Sequence, residues 1–156
     1  MKKTLANGLI FIGLITCLFG YKGKDTSLED AKEIYFNKII DKTTIDFKLP
    51  KGWNYEELPL EEGDKLSLKI YDESSNKYMT LYYLDNPVGV CGTGRTSKDV
   101  TISNNKIAIM GYYDGKKQWD DIIFPNTAPN VIFINENLED EDTIEILKTI
   151  TISQAD

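Results

Sequence analysis

Side chains able to do chemistry are sparse in this chain, and their densest group is Cys91-Gly92-Thr93-Gly94-Arg95. Glycines at this spacing let backbone amides approach an anion, and the arginine beside them could fork onto a carboxylate or phosphate. The stretch is not a P-loop, because no Gly-Lys-Ser/Thr follows, and it is not the dinucleotide GxGxxG pattern. The plainer reading is a loop whose glycines serve turn geometry while Arg95 pairs with a surface acid. Cys91 could act as a nucleophile or redox thiol if a cation lowered its pKa. Arg95 could supply that charge, but the chain has no histidine to activate the sulfur. Otherwise Cys91 is a small buried hydrophobe.

Two acidic groups invite and then fail other chemistries. Asn135–Asp142, NENLEDED, lacks the glycine turn and the twelfth-position glutamate of a calcium loop, and reads as an acidic helix start. Glu56-Glu57 and Glu61-Glu62 could pose as paired carboxylates, but adjacent acids on a polar loop are ordinarily solvated. Aromatics are more promising. Tyr78, Tyr82, Tyr83, Tyr112, Tyr113 and Trp119 combine apolar rings with polar tips, which suits a wet binding face. Alternation sends Tyr82 and Tyr83 to opposite sides, so at most half of them share a face. The candidate ligand-binding residues are therefore Cys91, Gly92, Gly94, Arg95, Tyr82, Tyr112 and Trp119. No catalytic constellation, metal site or cofactor is expected.

Bulk properties narrow the classes further. The chain has 156 residues, the size of one domain. Its formal net charge is -7, and -9 once Lys2 and Lys3 are removed. Such a surface repels phosphate backbones and gains no polybasic grip on anionic lipid, so nucleic acid is not an expected partner. Without histidine, His-based acid–base catalysis and His-ligated metals are excluded. Lysine is abundant and Arg95 is the sole arginine, a bias that fits an AT-rich bacterial genome.

The N-terminus reads as an address. Met1-Lys2-Lys3 is a positive n-region, and Leu9–Gly20 is a 12-residue apolar run. That is a signal-peptide length and short for a membrane span. Leu14-Ile15-Thr16-Cys17 resembles the lipobox of bacterial lipoproteins, in which the cysteine is lipidated and becomes the mature N-terminus. Thr16 stands where a smaller residue is usual. Cleavage near Gly20 with release, or an uncleaved anchor, are the alternatives. Residues 1–20 are the expected export segment and 21–27 a polar tether of about 15 Å. Residues 28–156 are a single domain outside the cytoplasmic membrane, whose only membrane contact is the N-terminal segment or its lipid.

Within the domain, Ser27–Asp30 resembles a helix-opening cap, so a helical turn is expected at 28–33, then an extended segment. Ile45–Leu49 alternates as a strand that Pro50-Lys51-Gly52-Trp53 stops. Asn54–Asp64 reads as a solvated loop. Leu66, Leu68 and Ile70 form a strand that pairs with Tyr78–Leu84 across Asp72–Asn76. Asp85–Lys98 has no period, and Val100–Ile102 is a short strand. Ile107–Tyr113 and Trp119–Phe124 flank Asp114-Gly115, a strong hairpin signal, and are expected at the centre of the sheet. Val131–Ile134 is a further strand. An acid-opened helix then runs to about Lys148, and Ile150–Ile152 closes as a strand. The expected fold class is α+β: an antiparallel meander of roughly six to eight strands with one or two helices packed on it.

Three landmarks carry a resemblance. A strand runs into Pro50-x-Gly52-Trp53 as IDFKLPKGW, a meander follows, and EDTIEILKTITI (Glu141–Ile152) ends the domain. This resembles the PsbP/Mog1-like fold of photosystem PsbP proteins and of small DcrB-type bacterial envelope lipoproteins. The resemblance implies helices around an antiparallel sheet and a binding or assembly role, and it supplies no catalytic residues. The functional expectation is an extracytoplasmic, anchored or secreted, non-catalytic binding or accessory module. Its partner would be an envelope protein or a small-molecule ligand. The alternative is an envelope enzyme or redox protein that depends on Cys91 and Arg95.

Overall fold

The computed structural model describes residues 33–155. The export segment, Cys17, the tether and, apart from Glu33, the helical turn expected at 28–33 lie outside the described residues. From Glu33 the chain enters β1 (Ile34–Ile40) and continues through β2 (Thr43–Leu49), β3 (Trp53–Glu57), β4 (Asp64–Asp72) and β5 (Tyr78–Leu84). It goes on through β6 (Arg95–Thr101), β7 (Ile107–Tyr113), β8 (Asp121–Phe124) and β9 (Ala128–Asn135), then α1 (Asp140–Leu147) and β10 (Thr151–Gln154). Strand makes up 53% of the described residues against one eight-residue helix, so the domain is mainly antiparallel β with a little helix.

The strands form two sheets rather than one meander. The larger has the order β3-β4-β5-β9-β8-β7-β6 and the smaller β1-β2-β10. Alternation decides which side of each strand is core. On the large sheet Leu66, Leu68 and Ile70 face inward beside Met79, Leu81 and Tyr83, and Phe133, Ile122 and Met110 continue the layer. The small sheet presents Phe36, Ile45, Phe47 and Leu49 to that layer. Phe36 stacks on Phe47 at 4.8 Å between ring centroids and meets Tyr55 edge-on at 5.2 Å. The helix covers the remaining part: the Trp119 indole N–H donates to Thr143 Oγ1 at 2.8 Å.

Four sequence expectations need correction. Trp53–Glu57 is strand, not solvated loop, because Tyr55 pairs with Ile70 and packs its ring inward. Arg95–Lys98 belongs to β6, an edge strand whose mostly exposed side chains leave no periodic signal. Asp114 and Gly115 do adopt positive φ (52° and 69°), and Lys116 N–H closes the turn on Tyr113 O at 3.0 Å. The paired hairpin, however, starts only at Gly111 and Asp121. Trp119 is drawn out of the ladder into the core, where it is 1% exposed, and residues 114–120 form a loop around that anchor. Finally, the hairpin is not the centre of the sheet. That place belongs to β9, whose Val131, Ile132 and Phe133 are all buried.

Candidate functional site

The inner face of the large sheet is filled by the small sheet and the helix, so the outer face decides what the domain can meet. By register it carries Tyr71 and Tyr78 at one end, then the row Ser67, Tyr82, Ile132, Ile123 and Ile109 across five strands. Ile134 and Asp121 lie in the next row, opposite Thr80 and Gly111. Most of these apolar side chains are half-buried, and among the described residues no second layer of strands or helix lies over them. Lys69 Nζ sits over the Tyr71 and Tyr78 rings at 5.2 and 5.1 Å, and Glu56 holds it at 3.1 Å.

One strap crosses this face. Leu84 ends β5 beside the start of β9, whereas Arg95 opens β6 opposite Tyr113, at the other end of the sheet. Residues 85–94 must therefore travel diagonally over β9, β8 and β7. Val88 N–H pins one end to Pro129 O at 2.7 Å. At the other end Asp114 N–H donates to Gly94 O at 3.1 Å. Gly94 has φ +70°, and a Cβ there would stand 2.9 Å from Asp114 Oδ1. Cys91 is a free, exposed thiol on this strap, not the small buried hydrophobe of the plainer reading.

Arg95 does not reach into a ligand cleft. Its guanidinium lies across Gly111 to Asp121, with Nη2 2.6 Å from Oδ1 and Nε 3.4 Å from Oδ2. Both side chains are nearly enclosed, 9% and 6% exposed. The hydrogen bond that Arg95 donates to Asp121 holds the Arg95 pKa even higher than usual. Tyr113 covers the guanidinium at 5.9 Å. Arg95 thus pairs with an acid, as the plainer reading of the loop has it, but the acid is enclosed rather than at the surface, because the strands around Gly111 bury the pair.

The expected site residues divide between two faces. Cys91, Gly92, Gly94, Arg95 and Tyr82 belong to the outer face and its strap. Tyr112 and Trp119 point inward to the helix. Tyr112 donates to Asp140 Oδ2 at 2.6 Å, and burial followed by that carboxylate pushes its phenol far up. Residues that build the outer face and were not singled out from sequence include Tyr71, Ile109, Ile123, Ile132, Ile134 and Asp121. A signal did exist: Asp121 interrupts an apolar run, and Ile109-x-Gly111-x-Tyr113 shares one parity.

Among the described residues no helix is long and apolar enough to cross a membrane, and no cluster of acids and cysteines is arranged to hold a metal ion. No family model, curated protein or solved structure matches the chain. Fold and site together define a class only: a mainly antiparallel β domain with one face packed and the other open beneath a strap.

Proposed function

We propose that this is an exported, envelope-anchored, non-catalytic binding or accessory module that engages its partner on the outer face of the large sheet. The observation that carries the reading is that face itself. Tyr71, Tyr78, Tyr82 and Tyr113 surround Ile109, Ile123 and Ile134, and among the described residues no strand or helix lies above them, only the 85–94 strap. Contiguous apolar surface rimmed by polar groups is characteristic of interaction sites. Export is supported by Lys2-Lys3, the apolar run to Gly20 and the lipobox-like Cys17. The PsbP/Mog1-like resemblance belongs to the same reading. It draws support from β2 running into the Pro50–Trp53 turn, the β3–β5 meander, and the closing α1–β10 pair. Chemistry at Cys91 and Arg95 has less support, because the guanidinium is already committed to Asp121.

Intact mass of the protein from its native envelope, with and without thiol alkylation of the folded chain, tests this. The expected product begins at lipid-modified Cys17 and takes one label, on exposed Cys91. Ile134→Lys should also reduce recovery of the envelope partner without lowering the unfolding midpoint. An unmodified chain confined to the cytosol would overturn the export reading. Unchanged partner recovery by Ile134→Lys would overturn the role of the face.

A further inference from the structure

Tyr82 stands on the outer face of β5, opposite Ser67 of β4. A recess of 250 Å³ opens there, lined by Leu58, Pro59, Glu61, Asp64, Ser67 and Tyr82. Its wall exists because the chain does not turn tightly from β3 into β4. Leu58 N–H still holds the ladder to Ser67 O at 2.9 Å, Pro59 then ends the pairing, and Asp64 N–H closes a turn on Glu61 O at 3.1 Å. The loop so formed stands beside the open face and brings two carboxylates to an aromatic ring.

Three features give the recess a chemical preference. Neither Glu61 nor Asp64 has a lysine or arginine within ion-pair distance among the described residues, whereas Glu56, Glu57 and Asp85 close by are paired. Ser67 is only 3% exposed and lines the recess beside Tyr82. The Tyr82 phenol is held above its usual pKa, first by burial and then by Asp64, Glu136 and Glu61. Negative charge thus converges on this ring from two sides of the face, in a chain of net charge -7.

We infer that the recess receives an arginine side chain presented by the protein partner of the outer face, an inference that rests on the proposed binding role. The aliphatic stem would lie along Leu58 and Pro59, as long cationic side chains do on apolar surface. The planar guanidinium would stack on Tyr82 and donate to Asp64, Glu61 and the Ser67 hydroxyl. Arginine suits the site better than lysine because its fork matches carboxylates while its plane matches the ring. Arginine anchors in such pockets are over-represented among residues that dominate binding energy.

The probe is N-acetyl-arginine amide, titrated into the ¹⁵N-labelled full-length chain in detergent micelles. Saturable millimolar shifts centred on Leu58, Ser67 and Tyr82 are expected. The isosteric uncharged citrulline analogue should not produce them. Glu61→Gln with Asp64→Asn should weaken binding by roughly tenfold or more, the loss expected for charge-assisted hydrogen bonds. Both substitutions keep side-chain shape and an oxygen acceptor, so the spectrum elsewhere reports that the fold is intact. Equal binding of citrulline would overturn the cationic preference while leaving a binding face. An absence of saturable shifts at the recess would overturn the site altogether, whereas the export reading stands or falls on the intact mass.

Discussion

Arg95 and Asp121 are joined across a strand to which neither belongs. Arg95 opens β6, Asp121 opens β8, and between them runs β7, where Gly111 has no side chain to block the path. A Cβ on Gly111 would lie 2.3 Å from Arg95 Nε and Nη2. The ion pair ties three strands together on the face that the strap crosses, and Arg95 is also the residue at which the strap ends.

Gly111→Ala should therefore lower stability by about 1–3 kcal/mol, the usual cost of overpacking. Asp121→Ala should cost more, about 3–5 kcal/mol, because it strands an enclosed guanidinium. The Arg95→Met, Asp121→Leu double variant should recover much of that loss, since it removes both charges and keeps volume. Urea unfolding of the four proteins checks this. A double variant no more stable than Asp121→Ala would show that the pair is not coupled.

Trp119 and Thr143 make the other contact that decides the fold. Trp119 is 1% exposed, Thr143 is fully buried, and Thr143 in turn donates to Glu139 O at 3.0 Å. Thr143→Val keeps the β-branched shape but leaves the indole N–H without an acceptor. The expected loss is about 1–3 kcal/mol, the penalty for an unsatisfied buried donor. It is read from the urea midpoint, with Trp119 fluorescence shifting as its hydrogen bond is lost.

Tyr112 gives the domain an alkaline limit. Burial first, then the Asp140 carboxylate, keeps its phenol protonated in the fold at pH values where a free tyrosine ionises. The stability this confers is complete below the unfolded tyrosine value of about 10 and is lost as pH rises through the folded value. Absorbance titration of the phenolates should show Tyr112 ionising late, only as the fold is lost. Tyr112→Phe should flatten the fall in stability above pH about 10. A wild-type alkaline profile in that variant would assign the limit elsewhere.

Local pattern was sufficient for much of the architecture. Ile45–Leu49, Leu66–Ile70 and Tyr78–Leu84 alternate with period two, and each is a strand with the expected residues inward. Asp114-Gly115 makes the expected positive-φ turn, and the acidic run after Asn137 opens α1. These features depend on neighbours within a few residues, so composition and spacing suffice to reveal them. Absence of histidine likewise excluded His-based catalysis and His-ligated metals before any fold was known.

Other decisions needed distant partners. Which strand lies at the centre depends on β9 returning between β5 and β8, a pairing with no local signature. Trp119 leaves its hairpin because a helix more than twenty residues later offers it a core and an acceptor. Arg95 is a structural ion pair rather than a ligand clamp because two strands away stands Asp121, with a glycine between. The recess at Tyr82 arises only when the loop after β3 is set beside β5 across β4. Sequence by itself determined many of the local conformations and, through the absence of histidine, some of the excluded chemistries. Only the tertiary structure decided which side chains share a face, because long-range register, not residue type, sets which charges and rings meet.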